Sequence, residues 1–234
     1  MLLKSGKMIV GLLLLPLCYA ATRTFLFLLW SVKPESPALI STPVWGFLIG
    51  FGLWIFLFFM MPHPVRTYVF GHEMTHAFWG LVLGAKISGM RVGDDGGSVH
   101  LSKSNFLITL APYYFPFYSI IVLLIYILLL AFSDLHTYKP FWMGLLGLTW
   151  AFHLTFTGRM LREHQSDISS QGKIFSYTSI YLVNVIEICL LVVSFSSPDL
   201  RIFLIKLTNE ILNTVDLSFE MAQRTIAFLK GLLQ

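Results

Sequence analysis

The stretch Val69-Phe70-Gly71-His72-Glu73-Met74-Thr75-His76-Ala77-Phe78-Trp79 sets two histidines and a glutamate inside an otherwise apolar run. On a helix, His72 and His76 stand four positions apart and project from one face, where two imidazoles can take adjacent corners of a tetrahedral metal site. Glu73 is offset enough to reach a bound water instead of the metal. Ionisable residues in a membrane segment are expensive and usually functional, and three at neighbouring helical positions have no use as core filler. The spacing therefore predicts a zinc site of His72 and His76, with Glu73 as the general base.

The rest of the chain supplies the membrane. Its 234 residues are 56% hydrophobic and only 12% charged, with a mean hydropathy of +0.75. That is more apolar material than one soluble core can hide. The net charge of +4 comes from Lys and Arg scattered through short connections, not gathered on a stripe, which argues against a nucleic-acid partner. Windows of about 20 apolar residues, the length a spanning helix needs, fall at 8–32, 43–61, 105–132, 140–158 and 178–196, and the shorter stretch 66–84 carries the histidines. The expected fold is thus an all-α integral membrane protein with about six transmembrane helices. Lys4 and Lys7 before the first apolar run, and Cys18-Tyr19-Ala20-Ala21 at its end, imitate a secretory signal. The second apolar patch, Phe25 to Trp30, favours a retained span.

Three segments follow from the composition: an N-terminal helix and linker (1–42, with Pro34 and Pro37), a membrane-embedded core (43–197), and a C-terminal amphipathic helix or helix pair (198–234). The segment 85–104 differs from its surroundings. Gly84, Gly89, Gly93, Gly96 and Gly97 punctuate alternating apolar and polar residues, which predicts a short β-hairpin after the metal-motif helix. A hairpin at membrane depth has to be covered by protein or line a wet cavity. Its exposed edge is a place for an extended peptide, so Gly96 and Gly97 are candidate substrate-binding residues, with a plain turn as the alternative. Asn184 and Glu187, one helical turn apart in the last long span, are polar enough to face the site, Asn184 as a substrate or oxyanion donor. Helix packing is the other reading.

A catalytic zinc takes three protein ligands and keeps one position for water. Asp167, in Gln165-Ser166-Asp167-Ile168, is the first candidate for the third ligand because it lies at the edge of a span and a carboxylate completes a two-histidine site. His153, inside the span 140–158, is the rival. His164 and Asp134 lie in wet connections and rank lower. Cys18 and Cys189, both in apolar runs, read as small core residues.

The order Gly71-His72-Glu73-Met74-Thr75-His76-Ala77, a glycine-rich hairpin ending Gly96-Gly97-Ser98-Val99, and a span opening with Ala111-Pro112 resembles the site-2 protease family of intramembrane zinc metallopeptidases, over roughly residues 43–175. The resemblance implies that His72 and His76 are zinc ligands and Glu73 the base. It also implies a third ligand from an Asp-Gly motif on a later span, usually preceded by Asn and Pro. Asp167 has neither a following Gly nor a preceding Asn-Pro, so its assignment rests on position and chemistry. The expected function is intramembrane cleavage of a membrane-protein or peptide substrate within the lipid bilayer, a bacterial inner membrane being the expected setting. The alternative is a non-proteolytic membrane protein that keeps a structural metal site and acts by binding a partner.

Overall fold

A proline pair and a glycine bound the helix that carries the histidines. The computed structural model describes residues 2–31, 42–195 and 200–232, and in it this helix, α3, runs Val65–Val82 after Pro64. It ends where Gly84 takes φ +77. There the Gly84 N–H bonds to the Leu81 carbonyl (2.9 Å) and the Ala85 N–H to the Gly80 carbonyl (2.7 Å), the paired closure by which a left-handed glycine satisfies a helix's last carbonyls.

The remaining elements are α1 (Leu2–Ser31), α2 (Thr42–Met60), β1 (Ile87–Gly93), β2 (Gly96–Leu101), α4 (Phe106–Tyr114), α5 (Phe117–Leu130), α6 (Lys139–Met160), α7 (Ser166–Gln171), α8 (Lys173–Phe195) and α9 (Leu200–Leu232). The protein is mostly helical, with one small two-stranded antiparallel sheet in which Gly93 pairs with Gly96 across an Asp94–Asp95 turn. Neither aspartate takes a positive φ; the reversal is completed by Gly96 at φ +127.

Among the described residues, three helices are long and apolar enough to cross a membrane: Ser5–Ser31, Pro43–Met60 and Lys173–Ser194. The expected single span at 105–132 is instead two helices, α4 and α5, bent by 73°. Pro116 at the start of α5 explains the break, because it has no N–H to continue the ladder and biases Phe115 to extended backbone. Counted as one broken span, the pair makes four. The windows 66–84 and 140–158 fold as α3 and α6, which fall short on apolarity because they carry His72, Glu73 and His76, or His153 and Arg159. The expected linker with Pro34 and Pro37 lies outside the described residues.

The described elements form two compact units, one of α1, α8 and α9, the other of α2 to α7. In the first, Gly11 lies so close to the Phe175 backbone that a Cβ would come within 2.7 Å, and the Cys18 thiol donates to the Thr178 carbonyl (3.4 Å). The region after Pro198 forms one helix, not a pair. Buried Glu210 of α9 takes ion pairs from Lys206 (2.7 Å) and from Arg23 of α1 (3.6 Å). Beyond Thr214, the apolar residues Val215, Leu217, Phe219, Met221, Ile226 and Phe228 are exposed.

The second unit is built on a close contact between α2 and α6. Gly46 and Gly50, four apart and so on one face, abut the carbonyls of Pro140 and Gly144, and Gly147 abuts the carbonyl of Phe47. Helices whose partner is as apolar as lipid gain from backbone approach, which only small residues permit. Below this contact Trp54, Ala151, Phe152 and Phe156 form a buried cluster, and the Trp54 indole donates to Thr155 (2.9 Å). A methyl at position 50 has no room, whereas Gly52, on the same helix, has nothing within 4 Å of an added Cβ. Gly50→Ala is therefore expected to destabilise by about 1–3 kcal/mol, and Gly52→Ala to be neutral or stabilising by up to about 1 kcal/mol, read as thermal midpoints in detergent.

Candidate metal centre

Three donor atoms meet at one point of the second unit. Nε2 of His72 and Nε2 of His76 lie 3.2 Å apart, and both face Oδ2 of Asp167, at 3.2 and 3.3 Å. A tetrahedral site with bonds of about 2.0–2.1 Å has edges 1.63 times as long, about 3.3 Å. The three atoms thus form one face of such a tetrahedron, and the donor set could hold a metal ion. They come from two elements: α3 supplies the histidines through its i, i+4 register, and α7 brings the carboxylate from 91 to 95 positions further along the chain.

Each of the three residues has a further partner. Nδ1 of His76 lies 2.8 Å from the carbonyl oxygen of Ile108; that oxygen can only accept, so the proton sits on Nδ1 and Nε2 of the neutral ring turns a lone pair to the centre. Nδ1 of His72 lies 3.0 Å from the hydroxyl of Tyr68. That phenol stacks on buried Phe156 of α6, with centroids 4.7 Å apart and planes 7° from parallel. The hydroxyl of fully buried Tyr113 donates to Oδ2 of Asp167 (3.4 Å), and its ring stands edge-on to His72 (5.4 Å). Burial alone would raise the Asp167 carboxyl, but the two facing imidazoles, when protonated, outweigh it through their hydrogen bonds and charges and hold it well below the usual carboxylate range.

The centre opens on a cleft of about 700 Å³. Glu73, only 6% exposed, lines it beside both histidines and Asp167. The hairpin forms another wall, from Asp94 to Val99. A Cβ on Gly97 would come within 2.6 Å of Glu73 Cγ and 2.7 Å of Val69 Cγ1, so glycine at 97 is what lets β2 lie against α3 at the glutamate. The cleft is wet enough in character to carry the strands, with Ser98, Ser104, Gln165 and the Arg159–Glu163 ion pair (3.2 Å) around it.

The sequence candidates separate accordingly. His72, His76 and Asp167 converge; Glu73, Gly96 and Gly97 line the cleft. The rival ligand His153 is buried on α6 and lines a small cavity on the Tyr68 and His72 side, together with Tyr118 and Phe152; it is outside the donor group. Asn184 belongs to the unit of α1, α8 and α9, where its amide donates to the Ile180 carbonyl (2.8 Å), while every residue lining the cleft belongs to the other unit. Glu187 lies on the same helix as Asn184. Sequence reasoning missed Tyr68, Tyr113 and the Ile108 carbonyl. Tyr68 carried a usable signal, since Tyr68, His72 and His76 repeat at four-residue steps on one helix face.

Comparison with family models, curated proteins and solved structures finds no match to this chain. Partners behind metal ligands typically contribute 10- to 100-fold in affinity. If the donor set holds a metal ion, Tyr68→Phe, which keeps the stack on Phe156 and removes the hydroxyl, is expected to weaken its binding by about that factor, measured with zinc as the probe by competition with a chromophoric chelator.

Proposed function

We propose that the chain is a membrane zinc metalloendopeptidase, similar in kind to the site-2 proteases whose motif order it resembles, hydrolysing peptide bonds in or near membrane segments of its substrates. The observation that carries this reading is the tetrahedral face of His72, His76 and Asp167 with Glu73 beside it in an open cleft. On this reading α3 and α6 sit at membrane depth with the three apolar helices and the bent pair, about six inserted segments, and the ion is zinc.

A bound zinc ion would supply Lewis acidity, acidifying a water and polarising the scissile carbonyl. The chain does the rest. His72, His76 and Asp167 hold the ion. Glu73 removes a proton as the water oxygen bonds to the carbonyl carbon, then delivers that proton to the departing amide nitrogen as the C–N bond breaks. The hairpin wall leaves room for an extended substrate backbone at Gly96, where nothing lies within 4 Å of an added Cβ, and its strand edge can hydrogen-bond it; Gly97 lets the hairpin pack against Glu73. Helical transmembrane substrates would have to unwind locally to fit. The reading of Asn184 as a substrate contact has no support from the cleft's lining.

Glu73→Gln tests the base. Zinc content of the purified variant is expected to match wild type while cleavage of peptides spanning transmembrane segments, followed by mass spectrometry, falls about 10²- to 10⁴-fold. A zinc-loaded variant with full activity, or a zinc-loaded wild type that cleaves nothing, would sink the proposal. Substituting the two rival ligands separates their roles: Asp167→Ala is expected to lose zinc and His153→Ala to keep it, and the reverse result would move the third ligand to α6.

A further inference from the structure

The Ile108 carbonyl that faces His76 belongs to a helix, and helix carbonyls are ordinarily engaged by the N–H four residues on. In α4 that position is Pro112. The ladder is regular on either side of it: Asn105 caps the helix by accepting from the Ile108 N–H (3.0 Å), the Thr109 N–H bonds to the Asn105 carbonyl (2.9 Å) and the Phe115 N–H to the Ala111 carbonyl (2.8 Å). Position 112 lies well past the first turn, where proline is tolerated at no cost. Here it withdraws a donor, and its ring crowds the carbonyl four residues back and tilts it out of the helix.

We infer that Pro112 is a positioning residue of the metal centre: by leaving the Ile108 carbonyl without its helical donor, it reserves that oxygen for Nδ1–H of His76. Ile108 and Pro112 are both buried, so water is a poor substitute partner, and an unmet carbonyl there would be costly. The 2.8 Å contact from His76 meets it. One tautomer follows. A carbonyl accepts and never donates, so in the neutral ring it is Nε2 of His76 that carries the lone pair and presents it to a metal. His72 has no such constraint, since the Tyr68 hydroxyl can donate or accept. His76 is the fixed ligand, and Pro112 is what fixes it.

The inference rests on the metal reading, and the experiment separates the two. Zinc affinity of the full-length chain in detergent is measured for wild type and Pro112→Ala by chelator competition, alongside melting of the metal-free proteins and ¹⁵N-histidine NMR of the Nδ1–H signals. Alanine restores the ladder donor. The expected result is zinc binding about 10- to 100-fold weaker, with metal-free melting unchanged or higher, because an interior proline is the poorest helix residue. A merely structural proline would give the opposite pattern, affinity following stability. Affinity within twofold of wild type in Pro112→Ala overturns the inference and leaves the metal reading standing; a wild type that takes up no zinc overturns both. Should the variant fail to fold, the wild type still decides. Its His76 Nδ1 proton is expected to exchange slowly as a hydrogen-bonded resonance, and a fast-exchanging one overturns the inference.

Discussion

Two imidazole nitrogens and one carboxylate oxygen, each 3.2–3.3 Å from the other two, form the arrangement on which the site depends. Three electron-rich atoms do not gather so closely in a buried place unless something positive, a proton or a metal ion, stands among them, because repulsion between like partial charges grows as the local dielectric falls. With its Nδ1 proton committed to the Ile108 carbonyl, a neutral His76 has no hydrogen to offer the centre. The surrounding structure thus holds the three donors in a geometry that could take a cation, beside the cleft.

That geometry is held from outside the ligands themselves. α3 fixes the spacing of the histidines, but their ring orientations come from α4, which supplies Ile108, and from α6, whose Phe156 immobilises Tyr68 by stacking. Asp167 lies on a six-residue helix too short to be stable alone; the facing imidazoles and Tyr113 orient its carboxylate. Behind α6 stands α2, joined to it through Gly46, Gly50 and Gly147. A disturbance at the glycine contact can therefore reach the metal through Phe156 and Tyr68, although Gly50 itself touches no ligand.

How much of this was legible follows from the range of the physics involved. The pairing of His72 with His76 was readable because the helical period is local and fixed, and the hairpin because glycines cluster where a chain must reverse or approach another closely. Asp167 could be ranked but not placed: both it and His153 offer suitable donors, and only the packing of α7 and α6 decides which meets the histidines. Tyr68 and Tyr113 drew no site assignment, for in an apolar helix a phenol looks like filler until its hydroxyl is seen to have a partner. The apolar run 105–132 is long enough to span, and the expectation of one span took no account of Pro116. Proline at that position was the better guide, since no run of apolar residues supplies the missing N–H. Asn184 was chosen for its polarity within a span; in the structure its amide nitrogen donates to the Ile180 carbonyl of its own helix.

Prolines that break a ladder at membrane depth carry a particular obligation. Outside a bilayer, a freed carbonyl finds water; in hydrocarbon it must find a protein donor or cost several kcal/mol. At Pro116 the obligation is met by ending one helix and starting another at 73°. At Pro112 the helix continues, and the freed oxygen is met from α3 by His76. The two breaks, four residues apart, have different outcomes because only Pro112 leaves a carbonyl within reach of a histidine. The same backbone group that would weaken α4 in isolation thereby ties α4 to α3 and sets the tautomer of a ligand. A local defect in one helix becomes part of the order of the site.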